Sequence, residues 1–309
     1  MKNKKNLVFL ATLNEAKNVV RIITHIKKEV PDADILIVDD SSTDFTVATI
    51  RLNFPKDKSI QIVERPARLG LGSAHLLAML FSVRGAYDSL VTMDADYSHN
   101  PTDIPRLLDK LNAGYDFVIG SRYMSGGSCE YTGYRKIVSL CAAYAARLLL
   151  GINLYEFTTS FRAFNVLSLK NFDFSEIQNE GYSFFMETVY RFHKNGFTMT
   201  EIPICFKDRE YGQSKIPPNE IFRGFINLLI LFLSRFEIIE GVNLRRDATS
   251  KCNDCSSEFV TVSCYPLGSD SIIKSAIKYA RGCIADRNKP LFLNCHYCGS
   301  HQVVPAKNE

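Results

Sequence analysis

Two aspartates separated by one residue follow a short apolar run and could hold a divalent metal. The run is Val91-Thr-Met-Asp94-Ala-Asp96, and Tyr-Ser-His-Asn100 follows it. In a buried strand the side chains at positions i and i+2 share a face, so both carboxylates project together where open α/β sheets bind ligands. Mg²⁺ and Mn²⁺ favour carboxylate and phosphate oxygens, so the pair predicts a metal that bridges the protein to a nucleotide diphosphate. The alternative is a solvated acidic turn, because turns are rich in Asp.

Other polar residues follow neighbouring predicted strands. Asn14-Glu15 come after the first strand, and Asp39-Asp40-Ser41-Ser42-Thr43-Asp44 come after the second. The carboxyl ends of parallel strands open onto one crevice, so these groups are expected near the two aspartates. Asp44 is also expected to cap a helix, whereas Gly70 and Gly72 would let the backbone approach a ligand closely. Together these groups favour a nucleotide site over a solvated turn.

The elements that must position these groups alternate between short apolar strands and helices. This pattern predicts an α/β fold with a mostly parallel sheet covered on both faces. Strands are expected at 7–12, 35–38, 60–63, 89–93, 117–120, 160–164 and 198–206. Helices are expected at 15–30, 44–53, 73–84, 103–112, from 134 to about 150, and 182–195. A first domain should close near residue 240, which gives domains of residues 1–240 and 241–309.

Two C-x₂-C pairs predict a small zinc-binding module in the second domain. The pairs are Cys252 with Cys255 and Cys295 with Cys298, the arrangement of a tetrahedral Cys₄ structural zinc site. The 39 residues between the pairs exceed the usual ribbon spacing, but residues 269–281 read as an inserted amphipathic helix. A redox pair or disulfides are the alternatives, and an intracellular setting disfavours stable disulfides. The prediction is a zinc-ribbon-like domain.

Composition and charge argue against several classes of protein. The chain has 309 residues and a formal charge of +4, too small a surplus to indicate nucleic-acid binding. No N-terminal signal and no apolar run of roughly 20 residues is evident, which predicts a cytoplasmic protein without a transmembrane helix. The apolar segment 219–236 carries flanking arginines. It could lie peripherally in a bilayer interface, or pack on the catalytic domain or the zinc module.

Six motifs, in one order, resemble those of family 2 glycosyltransferases. More narrowly, they are similar to dolichyl-phosphate mannosyltransferase and related polyprenyl-phosphate glycosyltransferases, over roughly residues 6–225. The motifs are Asp39-Asp40-Ser-Ser-Thr-Asp44, Gly70-Leu-Gly-Ser-Ala-His75, Met93-Asp-Ala-Asp-Tyr-Ser-His-Asn-Pro101, Gly120-Ser-Arg-Tyr123, Thr159-Ser-Phe-Arg162 and Asp208-Arg-Glu-Tyr-Gly-Gln-Ser-Lys215. The resemblance implies a glycosyltransferase A-type nucleotide-binding domain.

The resemblance also implies roles for individual residues. The implied donor-binding set is Asn14, Glu15, Asp40, Ser42, Gly72, Asp94 and Asp96, of which Asp94 and Asp96 hold Mg²⁺ or Mn²⁺. The implied acceptor-phosphate set is Arg122, Arg135, Arg209 and Lys215, and the catalytic set is Asp96, Arg122, Arg209 and Lys215. A phosphate acceptor is largely ionised near neutral pH and needs no general base. A hydroxyl acceptor would need one, and Glu187 or Asp208 would then be the first candidate.

The resemblance implies a metal-dependent, inverting transferase that moves mannose from GDP-mannose to a polyprenyl phosphate, with UDP-glucose as second donor. The alternatives are transfer to a glycan or small-molecule hydroxyl, and a non-catalytic scaffold that presents the zinc module. Departures from the family pattern leave the nucleobase open. Ala11-Thr-Leu stands where Pro-Thr-Tyr is usual, Ser41 and Phe45 replace glycines, and Glu156 replaces an aspartate.

Overall fold

The structure is a computed structural model that describes residues 4–130, 134–177, 179, 181, 183–208, 219–235, 244–252, 258–264 and 303–305. The strands of its larger part are β1 (Asn6–Thr12), β2 (Asp34–Asp39), β3 (Ile60–Glu64), β4 (Ser89–Asp94), β5 (Phe117–Ser121), β6 (Ser128–Cys129), β7 (Arg162–Asn165), β8 (Met199–Pro203) and β9 (Cys205–Phe206). The helices are α1 (Val19–Glu29), α2 (Thr46–Asn53), α3 (Leu71–Arg84), α4 (Ile104–Asn112), α5 (Tyr134–Leu150), α6 (Val166–Lys170), α7 (Ser183–Lys194) and α8 (Asn219–Ser234).

One seven-stranded sheet organises this part of the chain, in the order β3-β2-β1-β4-β7-β5-β8. Neighbouring strands run parallel except β7, which is antiparallel to both β4 and β5. The parallel strands therefore end at one edge of the sheet, and β7 begins at that same edge. The prediction of a mostly parallel α/β sheet is confirmed.

Apolar side chains bury both faces of the sheet. One core lies between the sheet and α1, α2 and α4, and includes Ile22, Ile50 and Leu107. The other lies between the sheet and α3, α5, α7 and α8, and includes Leu77 and Phe185. Burial on both faces explains why the central strands read as continuous apolar runs, and it fixes the strand ends firmly relative to one another.

Several predicted boundaries were wrong, and three of them have a clear local reason. Helix α1 begins at Val19 rather than residue 15, because Asn14 has a φ of 56° and the carbonyl of Glu15 accepts from the amide of Val19 in a turn. Helix α2 begins at Thr46 because Phe45 takes the left-handed conformation at the N-cap position predicted for Asp44. The strand predicted over 198–206 divides into β8 and β9, and β9 pairs with β6 instead of the main sheet.

A separate antiparallel sheet contains described residues beyond 243. Its strands are β10 (Leu244–Cys252), β11 (Glu258–Cys264) and β12 (Val303–Pro305), in the order β11-β10-β12. The backbone of Cys252 lies opposite Val303. Across the described residues, no helix is both long and apolar enough to cross a membrane.

Candidate active site

Asp94 and Asp96 lie at the carboxyl end of β4, where hydroxyl groups orient both carboxylates. The Ser160 hydroxyl donates to Asp94 Oδ1 over 2.6 Å. The hydroxyl and amide of Ser98 donate to Asp96 Oδ1 over 2.6 and 3.0 Å. The side chain of Asp94 is 29% exposed, whereas Asp96 is almost fully buried. Neutral hydroxyl donors hold each carboxylate in place without cancelling its charge.

His99 also makes a hydrogen bond to this turn. Its Nδ1 accepts from the Asp94 amide over 3.2 Å, and its Nε2 lies 3.1 Å from the Thr159 hydroxyl. Acceptance at Nδ1 requires the tautomer that carries its proton on Nε2, so the ring donates to Thr159. Burial lowers the pKa of His99 despite the opposing charges of Asp94 and Asp96. The ring is therefore a neutral link between the aspartate turn and the segment before β7.

The loops after β1 and β2 form one hydrogen-bonded unit. Asp39 accepts from the hydroxyls of Thr12 and Ser42 over 2.8 and 2.6 Å. The Ser42 hydroxyl in turn accepts from the Asn14 amide over 2.8 Å, and the Asn14 side-chain oxygen accepts from the Thr43 amide over 2.8 Å. The structure thus brings the predicted donor residues Asn14 and Ser42 together, with Asp39 as their shared anchor.

Asp40, also predicted to bind the donor, forms an ion pair with a residue that the sequence reasoning missed. Arg65 Nη1 lies 2.8 Å from Asp40 Oδ1, and the Gly70 amide donates to Asp40 Oδ2 over 3.0 Å. The side chain of Arg65 is fully buried. Arg65 follows directly after β3, so it reaches this sheet edge for the same reason as the residues that end β1, β2 and β4. Its position after a predicted strand was the available signal.

Glu15 and Gly72 complete the predicted donor set. The Glu15 amide donates to the Thr46 hydroxyl over 2.9 Å, and its carboxylate accepts from Asn18 over 2.8 Å. Gly72 lies in the first turn of α3, whereas Gly70 precedes the helix with a φ of 95°. That φ favours glycine at position 70, so the motif turns the chain sharply between Arg65 and α3.

Arg122, predicted to contact the acceptor phosphate, follows β5 and makes a bidentate ion pair with Glu156. Arg122 Nε and Nη2 donate to the two Glu156 oxygens over 2.7 and 2.9 Å, and Nη2 also donates to the Thr158 hydroxyl over 2.9 Å. Burial raises the pKa of Glu156, but the Arg122 charge and hydrogen bonds from Thr158 outweigh it, so the pKa lies below its ordinary value. Arg122 is therefore held in a fixed orientation.

The remaining predicted residues are only partly described. Arg135 lies in α5, and Cys252 ends β10. Outside the described residues lie Arg209, Lys215, Cys255, Cys295 and Cys298. Asp208 is exposed, and its amide donates to Glu130 over 3.2 Å. Glu187, the other candidate base, is buried on α7, where it accepts from the amide and side chain of Asn179 over 2.9 and 2.6 Å.

Comparison with known proteins places the chain in a family. Residues 7–172 match the family described as Glycosyl transferase family 2. The chain belongs to this family. The transferase is 36% identical over 220 residues to a polyprenol monophosphomannose synthase of Mycolicibacterium smegmatis, covering 71% of this chain and 83% of that protein. It is 33% identical over 223 residues to an undecaprenyl-phosphate mannosyltransferase of Micrococcus luteus, covering 72% of this chain and 91% of that protein.

Solved structures support the fold of the transferase. A glucosyl-3-phosphoglycerate synthase from Mycobacterium tuberculosis, in complex with Mn²⁺, UDP and phosphoglyceric acid, matches with a TM-score of 0.54. The match has 19% sequence identity and covers 86% of this chain and 88% of that one. Another structure of the same synthase, with Mg²⁺ and UDP, also gives a TM-score of 0.54 at 19% identity. At this identity the likeness shows the fold alone.

Proposed function

We propose that the transferase moves a sugar from a nucleotide sugar to the phosphate of a polyprenyl phosphate. The favoured sugar is mannose, and the favoured donor is GDP-mannose. The observation that carries the proposal is that Asp94, Asp96 and Arg122 lie at one sheet edge, on either side of β7. The two relatives, named as a polyprenol monophosphomannose synthase and an undecaprenyl-phosphate mannosyltransferase, support the substrate class. The sugar donor and the lipid acceptor would then bind on either side of the single strand β7.

Asp94 and Asp96 would hold Mg²⁺ or Mn²⁺. In the described residues no group of three or more His, Cys, Asp or Glu side chains is suited to a metal. A two-carboxylate site fits an ion that completes its coordination with phosphate oxygens and water. Bound there, the metal would neutralise charge on the departing diphosphate. The complexes of the glucosyl-3-phosphoglycerate synthase with Mn²⁺ and Mg²⁺ support this choice.

The acceptor phosphate would contact Arg122, Arg135, Arg209 and Lys215. Arginine suits this role because its guanidinium keeps its charge and can bind a phosphate through two parallel hydrogen bonds. The Nε and Nη2 of Arg122 donate to Glu156 and Thr158, so that two-bond contact would come from Arg135 or Arg209. Glu156 opposes part of the charge of Arg122 while fixing its direction. Arg135, Arg209 and Lys215 would therefore supply further positive charge. Because the acceptor oxygen is already ionised, the reaction would need no general base. The buried Glu187 would then have a structural role through its hydrogen bonds with Asn179.

The apolar surface of α5 and α8 would touch the cytoplasmic face of an anionic membrane. Helix α8 packs on the domain through the buried Leu228 and Leu231. Exposed apolar residues remain on both helices, namely Leu140, Tyr144 and Leu148 on α5 and Phe225 and Leu229 on α8. The three on α5 are spaced four apart and share a face. The exposed Lys136 on α5, Arg223 on α8 and Arg235, which directly follows α8, match the negative charge of lipid headgroups.

Vesicle sedimentation tests this surface. Leu148→Ser should reduce binding to vesicles that contain phosphatidylglycerol, because it removes exposed apolar area from α5. Leu167→Ser is the matched control, since Leu148 and Leu167 are 69% and 67% exposed and Leu167 lies on α6. Equal binding by the two variants, or no binding by the parent protein, would overturn the membrane contact.

Residues 241–309 would form a zinc-ribbon-like domain, with Cys252, Cys255, Cys295 and Cys298 as ligands of a structural Zn²⁺. The antiparallel strand pairing supports the proposal, because β10 ends at Cys252 and β12 begins five residues after Cys298. Cys252→Ser should lower the zinc content measured by elemental analysis. Cys141→Ser, at an exposed cysteine of α5, should leave it at one ion per chain. Unchanged zinc in Cys252→Ser would reject the site.

Nucleotide release tests the proposed reaction. The purified chain is given Mn²⁺ and a panel of GDP- and UDP-sugars, each with and without polyprenyl phosphate. Release from GDP-mannose that depends on the lipid phosphate is the expected result. Release that ignores the lipid would point to a hydroxyl acceptor, and silence with every donor would favour a non-catalytic scaffold. Either of these outcomes would overturn the proposal.

A further inference from the structure

Residues 156–161, which precede β7, lie between the proposed metal ligands Asp94 and Asp96 and the proposed acceptor-binding residue Arg122. Because β7 is antiparallel to its neighbours, it begins where β4 and β5 end, and Arg162 pairs with both Thr92 and Ile119. The chain must therefore enter the sheet between Asp94, which ends β4, and Arg122, which follows β5. We call residues 156–161 the entry segment.

One end of the entry segment contacts the aspartates. Ser160 donates its hydroxyl to Asp94 Oδ1 over 2.6 Å, and its own carbonyl accepts from the Thr92 hydroxyl over 2.6 Å. Thr159 meets His99, whose other ring nitrogen accepts from the Asp94 amide. The side chain and the backbone of Asp94 are thus both tied to consecutive residues of the entry segment.

The other end contacts Arg122. Glu156 accepts two hydrogen bonds from the guanidinium, and Thr158 accepts a third. Thr158 also donates its hydroxyl and its amide to Glu156 Oε1, each over 3.0 Å. The fork of Arg122 therefore fits a cradle built from two residues of the entry segment.

Two ionisable side chains, the buried Arg162 and the half-buried Glu201, hold the entry segment in this shape. Arg162 donates to the carbonyls of Thr159 and Phe157 over 2.7 and 2.9 Å, and its side chain is fully buried. The Glu201 carboxylate accepts from the amides of Tyr155 and Glu156, each over 2.8 Å. Backbone groups along the segment are satisfied by side chains from β7 and β8, so its position is set by the sheet.

We propose that the entry segment is a positioning element in which Ser160 orients Asp94 for the metal and Thr158, with Glu156, orients Arg122 for the acceptor phosphate. This inference rests on the proposed function of the two ends. Groups that orient a metal ligand change metal affinity by about 10- to 100-fold when removed. The Thr158 hydroxyl acts on Arg122 beside two further hydrogen bonds to Glu156, so its loss should have a smaller effect and weaken acceptor binding by about fivefold.

The test measures binding at each end separately. Mn²⁺ affinity in the presence of GDP is read from the spin-resonance signal of free Mn²⁺. Affinity for farnesyl phosphate is read by calorimetry. Ser160→Ala should weaken Mn²⁺ binding by about tenfold or more and leave farnesyl phosphate binding unchanged. Thr158→Val, which keeps the side-chain shape, should weaken farnesyl phosphate binding by about fivefold and leave Mn²⁺ binding unchanged. Ser168→Ala is the control, because it removes a serine–aspartate hydrogen bond, to Asp116, on α6.

A purely structural segment would give a different pattern. If Ser160→Ala binds Mn²⁺ as tightly as Ser168→Ala does, or if each variant weakens both ligands equally, the inference is overturned. If the parent protein binds Mn²⁺ with GDP but does not bind farnesyl phosphate, the proposed acceptor is wrong. The comparison of Ser160→Ala with Ser168→Ala then still tests whether Ser160 orients Asp94 for the metal. Melting temperatures of the three variants, measured alongside, identify any loss caused by unfolding.

Discussion

The two aspartates of the proposed donor half and the arginine of the proposed acceptor half are held by different kinds of contact. On the donor side, Asp94 and Asp96 accept from the neutral hydroxyls of Ser160 and Ser98. On the acceptor side, Arg122 is held by the opposite charge of Glu156. A hydroxyl orients a charged group and leaves its charge in place, whereas an ion pair orients it and opposes that charge. Hydroxyl contacts of this kind suit a pair of carboxylates that would bind a cation, and the proposed acceptor half would need positive charge in addition to Arg122.

The largest expected effect comes from removing charge in the donor half. Asp94→Asn should reduce kcat by about 10³-fold or more, because metal stabilisation of the leaving diphosphate is worth several kcal/mol. The fold should persist, since the amide keeps an oxygen for Ser160. Steady-state rates and melting temperature check this. Asp109→Asn, at an exposed aspartate of α4, should change neither, and near-normal turnover by Asp94→Asn would refute the metal role.

Arg65 tests whether ion pairs also matter in the donor half. Arg65→Met should lower the free energy of unfolding by about 3 kcal/mol, because it leaves Asp40 without its charge partner in a buried site. Arg51→Met breaks the exposed pair with Glu64 and should cost less than about 1 kcal/mol. Urea unfolding measures both. Equal losses would mean that Asp40 and Arg65 are solvated in the native state.

Arg122→Lys tests whether the bidentate contact between Arg122 and Glu156 matters for use of the acceptor. A lysine keeps the charge but cannot make two parallel hydrogen bonds to Glu156, so kcat/KM for the lipid acceptor should fall by about tenfold. Kinetics at saturating donor give this value. Arg106→Lys, at an exposed arginine of α4 that pairs with Asp103, serves as the control. If Arg122→Lys matches that control, the bidentate geometry has no role in catalysis.

His75, on α3, tests the core on one face of the sheet. Its ring packs between Phe9 of β1 and Phe184 and Phe185 of α7, and its Nδ1 has no hydrogen-bond partner among the described residues. Burial, together with nearby positive charge, holds the pKa of His75 well below its ordinary 6.5. Below about pH 6.5 the unfolded chain binds a proton that the folded chain does not, so stability falls as the pH falls.

His75→Phe should remove that part of the pH dependence. Between pH 6.5 and 5.5 the free energy of unfolding of the parent should decline more steeply than that of the variant, by up to about 1.4 kcal/mol per pH unit. Urea unfolding at several pH values measures the slopes. His193→Gln, at an exposed histidine of α7, should retain the parent slope. Identical slopes for the parent and His75→Phe would contradict a buried neutral His75.

The donor half was the easier half to predict from the sequence. Asp39, Asp40, Asp94 and Asp96 follow apolar runs, and the rule that parallel strands end at one edge was enough to bring them together. Arg65 was missed because a single arginine after a strand resembles an ordinary surface residue. Its burial depends on α3, which packs over it after the turn at Gly70.

The acceptor half could not be predicted in the same way. Arg122 and Glu156 are 34 residues apart, and they meet only because β7 runs antiparallel between β4 and β5. An alternating or apolar pattern predicts a strand without its direction. The helix starts at Val19 and Thr46 were misplaced for a different reason, since Asn14 and Phe45 adopt left-handed conformations that interrupt the chain before each helix. Phenylalanine rarely adopts this conformation, whereas asparagine adopts it more readily than most residues but still in a minority of cases.

Identification of the product tests the central claim most directly. The purified protein is incubated with Mn²⁺, radiolabelled GDP-mannose and polyprenyl phosphate, and the lipid phase is extracted and treated with mild acid. We expect label in the lipid phase, released by acid as mannose, and none in an Asp94→Asn reaction. Label that remains in the aqueous phase as free sugar or as a glycoside would contradict transfer to a lipid phosphate.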